Sequence, residues 1–220
     1  TGVLAAQWAQ AGMTSTDVGL CGPQGFGETH HGAADMSAFD GAGDTWHMMD
    51  ISHKFHACCH GLHAMLEALR DVTLPVSKVV VRTNPRWMSV CNNLAPQTGL
   101  ESKFSYKMTA AMRLSGIDTA RIDSYTDANA QDPVLQSLCD CVTVVPDSDV
   151  SEMQCRIEVS DKAKTTSKFH DLVAPMTYEV RQARLKQKAC AVIGQALSEE
   201  VWSAVHTYDA RHLNELLDQA

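Results

Sequence analysis

Cys141-Val142-Thr143-Val144-Val145, Met153-Gln154-Cys155-Arg156-Ile157-Glu158-Val159 and Thr165-Thr166-Ser167-Lys168-Phe169 are three short runs rich in β-branched side chains. Segments bearing Asp and Ser separate them, so they read as strands joined by turns. Working outward, Val76 to Arg82 has the same character and Asn84-Pro85 ends it. Beyond Thr177 the apolar period changes to that of helices over Tyr178–Ala196, Ser198–Tyr208 and Ala210–Asp218. Ser198-Glu199-Glu200 is a good helix start. Upstream, Leu62, Met65, Leu66 and Leu69 predict a helix over Phe55–Arg70. A second is predicted over Ser102–Leu114, with Gly116 as its stop. Val3 to Ala11 reads as a short helix stopped by Gly12, Asp17–Gly27 as a loop with one helical turn, and Trp46–Ile51 as a strand leading towards Lys54. Strands grouped between helices, without strict alternation, predict an α+β fold.

Totals narrow the function classes. With 45% apolar and 20% charged residues over 220 positions, the chain can bury a sizeable core. A formal net charge of −8 argues against nucleic acid, which is met by a basic face. Its apolar stretches fall far short of a membrane span. The eight cysteines lack the spacing of a disulfide framework, which points to a reducing, cytoplasmic setting. The chain opens Thr1-Gly2-Val3-Leu4-Ala5-Ala6, with neither Met nor a basic leader, so it reads as a cut or processed piece.

The densest chemistry is His53-Lys54-Phe55-His56-Ala57-Cys58-Cys59-His60-Gly61-Leu62-His63. On a helix, histidines spaced three, four and three apart would share one face, as in a metal site. Zinc sites draw ligands from two elements, however, and no CxxC or second HxxxH is present. No metal is therefore expected, and a packed histidine cluster is the plainer reading. Lys54, at an element boundary beside apolar and thiol side chains, can place an ammonium in a cleft for a substrate carboxylate or simply meet water. Cys58-Cys59 and Cys139-Asp140-Cys141 read as packed thiols, because adjacent cysteines rarely close an unstrained disulfide and the second pair lacks a redox spacer. Gly22 to Gly27 includes Pro23 and follows no strand, so it is not a phosphate loop. No GxSxG elbow occurs, and no cofactor is expected.

Three segments, in order, resemble the MmgE/PrpD family, which holds 2-methylcitrate dehydratase and cis-aconitate decarboxylase. Thr1 through Thr14 and the Gly22–Gly27 loop are similar to its helix and small-residue turn. Lys54 through Ala64 resembles its K-x-x-x-C-C-x-x-x-H segment, and Pro96 through Ser105 its P-x-T-x-x-E-x-K-F-S signature. With the helical tail, the resemblance covers nearly the whole chain.

That resemblance implies an α+β lid at residues 46–175, flanked by segments 1–45 and 176–220 of an all-α domain. It also implies a homodimer, with the site between lid and helical domain. The chemistry implied is proton abstraction next to a carboxylate. Lys54 matches the lid lysine and is the candidate catalytic and substrate-binding residue. His63 matches the motif's closing histidine, either a donor to substrate oxygen or a packed ring. The family's tyrosine position holds Met108 here and Tyr106 is out of step, so that role is not transferred. The family's catalytic histidines precede the matched region, so the chain is expected to be a fragment or to need a separate N-terminal helical half. Three functions remain open: a lyase acting on a small polycarboxylate, an epimerase of an imino- or amino-dicarboxylate, and a non-catalytic lid subunit.

Overall fold

A computed structural model describes residues 2–20, 22–30, 36–46 and 51–218. The chain divides into two compact units, Thr1–Ile51 and Ser52–Ala220. In the first, helix α1 (Gly2–Gln10) buries none of its side chains. Gly12 follows it at φ +90°, and Met13 N–H bonds back to the Trp8 carbonyl, a glycine-assisted stop. Helix α2 (Phe26–Thr29) provides the single turn anticipated near the glycine-rich loop. Most of the strand expected over Trp46–Ile51 lies outside the described residues; Trp46 and Ile51 themselves are not in a strand.

The second unit is built on four strands, β1 (Lys78–Thr83), β2 (Val142–Pro146), β3 (Gln154–Ser160) and β4 (Thr165–Asp171). Their order is β2-β1-β3-β4. β1 runs parallel to β2 and antiparallel to β3, while β3 and β4 are antiparallel neighbours. A parallel pair needs a long crossover. Residues 84–141 supply it, carrying helices α4 (Trp87–Val90), α5 (Gly99–Ser102), α6 (Tyr106–Leu114), α7 (Asp127–Ala130) and α8 (Pro133–Asp140), after α3 (His63–Ala68) has preceded β1. A mixed sheet with helices outside any repeating βαβ order is the predicted α+β class.

Strand alternation turns Val79, Val81 and Thr83 inward from β1, paired in register with Val159, Ile157 and Cys155 of β3. These side chains meet Leu62, Met65, Leu66 and Leu69 at helical spacing, and Tyr106, Met108 and Met112 of α6. Each fully buried Leu or Met stabilises by about 1.5–3 kcal/mol over an exposed one. The Tyr106 hydroxyl, buried in this core, donates to the Gly61 carbonyl at 2.7 Å and accepts from Thr83 Oγ1 at 2.7 Å.

Several predicted boundaries are corrected, each for a capping reason. The helix expected over Phe55–Arg70 is shorter: residues 55–59 are irregular with a bend at 56–58, a 3₁₀ turn spans His60–Leu62, and α3 follows. Ala57 and Cys59 donate their N–H groups to Thr119 and Lys103 rather than to their own preceding turn. The Ser102–Leu114 helix is split, because Ser105 caps α6 by accepting from Met108 N–H at 3.3 Å while donating to the Asn93 carbonyl at 2.6 Å. The tail breaks at Gly194, φ +82°, into α9 (Tyr178–Ile193) and α10 (Gln195–His206), followed by α11 (Ala210–Leu217). A left-handed φ suits glycine, so α10 starts there and not at Ser198. Helix α8 went unread, although Asp132 caps it at 2.7 Å from Val134 N–H and Pro133 opens it.

Gly99 tests the fit of the crossover. A Cβ there would stand 2.0 Å from the Tyr125 carbonyl oxygen and 2.4 Å from its carbon, both backbone atoms. Gly99→Ala is expected to cost about 3 kcal/mol by overpacking. Leu100→Ala next door, at a residue 68% exposed, should stay within about 0.5 kcal/mol. Urea unfolding measures both, and equal midpoints would show that the backbone near Tyr125 yields freely.

Candidate functional site

Residues 53–59 form an irregular strap, bent at residues 56–58, rather than a helix start. The four histidines therefore do not line one helix face; only His60 and His63 lie in helical backbone. The rings of His56 and His60 nonetheless stand 5.1 and 5.2 Å from that of His63, brought there by the turn between strap and α3. Among the described residues, no group of three or more His, Cys, Asp or Glu is placed to hold a metal ion.

Glu67, on α3, fixes the strap. His56 Nε2 donates to Glu67 Oε1 at 3.0 Å, and Arg184 of α9 donates to the same oxygen. His56 Nδ1 lies 2.8 Å from the Thr119 hydroxyl. Burial alone would raise the Glu67 carboxyl, but the hydrogen bonds from His56 and Arg184 and the Arg184 charge hold it down to about 2. An ionised carboxylate only accepts, so the His56 nitrogen facing it carries the proton. The Arg184 guanidinium also covers the Phe55 ring, 3.8 Å from its centroid.

His63 is 1% exposed and its Nε2 has no hydrogen-bond partner. Burial first, then the neighbouring His56, His60 and Lys54 charges, push it down to about 3, so the ring is neutral at pH 7. His60 is lowered for the same reasons, burial and then Lys54. Lys54 itself is exposed, and its charge is felt at Cys58, His60, His63 and Lys188. The two residues singled out in the sequence, Lys54 and His63, thus belong to one neighbourhood, one at its surface and one in its wall.

Cys58 is a wall residue as well. It is buried and pushed up to about 12, chiefly by burial, with the neighbouring Tyr125 hydroxyl acting against that. A protonated, enclosed thiol of this kind packs and does not attack. The described cysteines are free thiols. Tyr106 lies in the core, where its hydroxyl is engaged by Gly61 and Thr83.

Lys103 and Lys188 were not singled out from the sequence. Lys103 joins the strap through its carbonyl, which accepts from Cys59 N–H at 2.9 Å, and its ammonium lies 5.4 Å from the centre of the Tyr125 ring. Lys188 Nζ donates to the Ala120 carbonyl at 2.5 Å. For Lys103 a signal existed. In Thr98-x-x-Glu101-x-Lys103-x-Ser105, Thr98 and Glu101 form a reciprocal capping box and Ser105 caps α6. Three polar residues of the motif are spent on helix ends, which leaves Lys103. For Lys188 nothing local marked it.

A cavity of about 330 Å³ lies elsewhere, between α9 and α10, lined by Lys186, Cys190, Ser198 and Trp202 among others. None of the candidate residues borders it. Among the described residues no helix is long and apolar enough to cross a membrane.

Against known families, residues 56–207 match the MmgE/PrpD C-terminal domain. His63, Lys103 and Lys188 fall within the match, and Lys54 lies just before it. No curated protein matches the chain.

The two shifted groups predict acid sensitivity. His63 is held neutral, so as pH falls below about 6.5 the unfolded chain gains a proton that the folded one refuses until about pH 3. Stability therefore declines with acid across that window, by at most about 1.4 kcal/mol per pH unit for one proton. Glu67 adds to the loss as pH falls from about 4.5 towards 2, because its stabilising charge disappears. In urea unfolding between pH 6.5 and 4.5, His63→Gln should show a shallower pH slope than the parent. Identical slopes would place the acid sensitivity elsewhere.

Proposed function

The chain belongs to the MmgE/PrpD family, and on that premise we propose that it is the carboxylate-binding part of a lyase. Its substrate is a small polycarboxylate of the 2-methylcitrate kind, from which water is removed. In this reading residues 46–175 are the lid, and residues 1–45 and 176–220 belong to a helical domain. The active assembly is cytoplasmic, either a homodimer or a complex with an N-terminal helical half, and it uses no cofactor.

One observation carries the reading. The Lys54 ammonium has no carboxylate within ion-pair distance among the described residues, and its charge acts on the imidazoles of His60 and His63. A cation with no carboxylate at hand among the described residues, beside groups that exchange hydrogen bonds without charge, suits an anionic ligand. Abstracting a proton next to a carboxylate moves negative charge onto the carboxylate oxygens. A fixed ammonium there stabilises the transition state more than the ground state. The base that takes the proton is assigned to the helical half, and the departing hydroxyl leaves as water. Reprotonation on the opposite face would instead give an epimerase of an imino- or amino-dicarboxylate. The first step would be the same.

The test joins this chain with a helical N-terminal half of the family and assays 2-methylcitrate, cis-aconitate and an amino-dicarboxylate. Dehydration is followed by the new double bond, and epimerisation by solvent deuterium at the reacting carbon. Lys54→Gln is expected to lower kcat/KM about 100-fold, within the range for removing one charge-stabilising donor. Deuterium exchange without elimination would favour the epimerase. An assembled pair with neither activity would leave the non-catalytic lid subunit as the surviving reading.

A further inference from the structure

We propose that Lys103 and Lys188 hold substrate carboxylates alongside Lys54, so that helix α9 contributes a specificity-determining side chain to the site. This rests on the carboxylate-binding reading above and adds two residues to it.

Three elements bring the lysines together. Lys54 comes from the strap, Lys103 from the turn between α5 and α6, and Lys188 from α9. Arg184 sets the rotation of α9 by gripping Glu67 and covering Phe55. Lys188 lies four residues on, so it returns to the same face one turn later. There it donates to the carbonyl of Ala120, which adjoins the Thr119 carbonyl that receives Ala57 N–H from the strap. An ammonium has three protons, and this bond uses one. Lys103 is tied to the same strap two residues further on, at Cys59.

Among the described residues none of the three lysines forms an ion pair, whereas several arginines of this unit do so with carboxylates. Arg82 pairs with Glu158, Arg86 with Glu152, Arg121 with Asp123 and Arg184 with Glu67. Lys188 is half-buried, and burial followed by the Lys54 and Lys103 charges lowers it, against opposing influences from Cys58 and Asp118. Asp118 is the acid nearest in effect, and its Oδ1 already accepts from Ala120 N–H. In a chain of net charge −8, gathering ammonium groups without bonded carboxylates costs stability unless an anion settles among them.

The experiment titrates the full chain with sodium tricarballylate, an unreactive tricarboxylate, at fixed ionic strength, following binding by NMR shifts. Lys103→Gln and Lys188→Gln are each expected to weaken binding about 10-fold. Lys188→Arg should recover most of the loss, because it keeps the charge. Lys186→Gln, whose ammonium lies over Trp202 instead, should bind as the parent does. Unfolding midpoints accompany each variant. If Lys188→Gln does not fold, Lys103→Gln and the charge-keeping Lys188→Arg still decide the matter. Binding that weakens in Lys54→Gln but not in the Lys103 and Lys188 variants would overturn this inference alone. No tricarballylate binding by the parent would instead overturn the carboxylate-binding reading itself.

Discussion

The Glu67 carboxylate holds together three segments, α3, the strap and α9. It is buried on α3, receives His56 from the strap on one side and receives Arg184 from α9 on the other. A buried carboxylate without such partners is costly, and removing one member of a buried pair leaves an uncompensated charge worth about 3–5 kcal/mol. The same bonds that satisfy Glu67 therefore dictate where the strap and α9 lie. Once His56 is held, the backbone of residues 57–59 is free to bond sideways to Thr119 and Lys103, and it cannot coil.

The neighbourhood has a division of labour by depth. Cys58, His63 and Tyr125 are enclosed and kept uncharged by burial, and they form its wall. Lys54 stands at the exposed edge, with Lys103 and Lys188 half-buried. Charges near a low-dielectric wall act on a ligand more strongly than the same charges in open water. The wall thus gives the lysines their reach.

The sheet positions this arrangement without taking part in it. The parallel β1–β2 pair obliges the chain to cross over through residues 84–141. That crossover carries Lys103, Thr119, Ala120 and Tyr125 to the strap. The antiparallel β3 and β4 close the other side and lead into α9. Much of this was legible. All four strands fall within two residues of their predicted starts, because alternation and β-branching are local signals. Helix ends were less so. Ser105 interrupts a helix that apolar spacing alone runs together, and Gly194 sets the break between α9 and α10 a few residues before the expected one, since a cap acts through one side chain or one φ angle and hardly disturbs the period. Asp132-Pro133 is a readable helix start, with a capping carboxylate and proline at the first turn.

By itself the sequence determined the α+β class and the family. Each depends on residue types at fixed spacing, which the chain carries wherever it folds. Tertiary structure alone decided that residues 55–59 are a strap, that Glu67 is the hub, and that Lys188 joins a lysine from the far end of the unit. Those outcomes depend on which carbonyls and charges meet across the fold. Hydrogen bonds and Coulomb forces act over a few ångströms of space, and separation along the chain does not encode that distance.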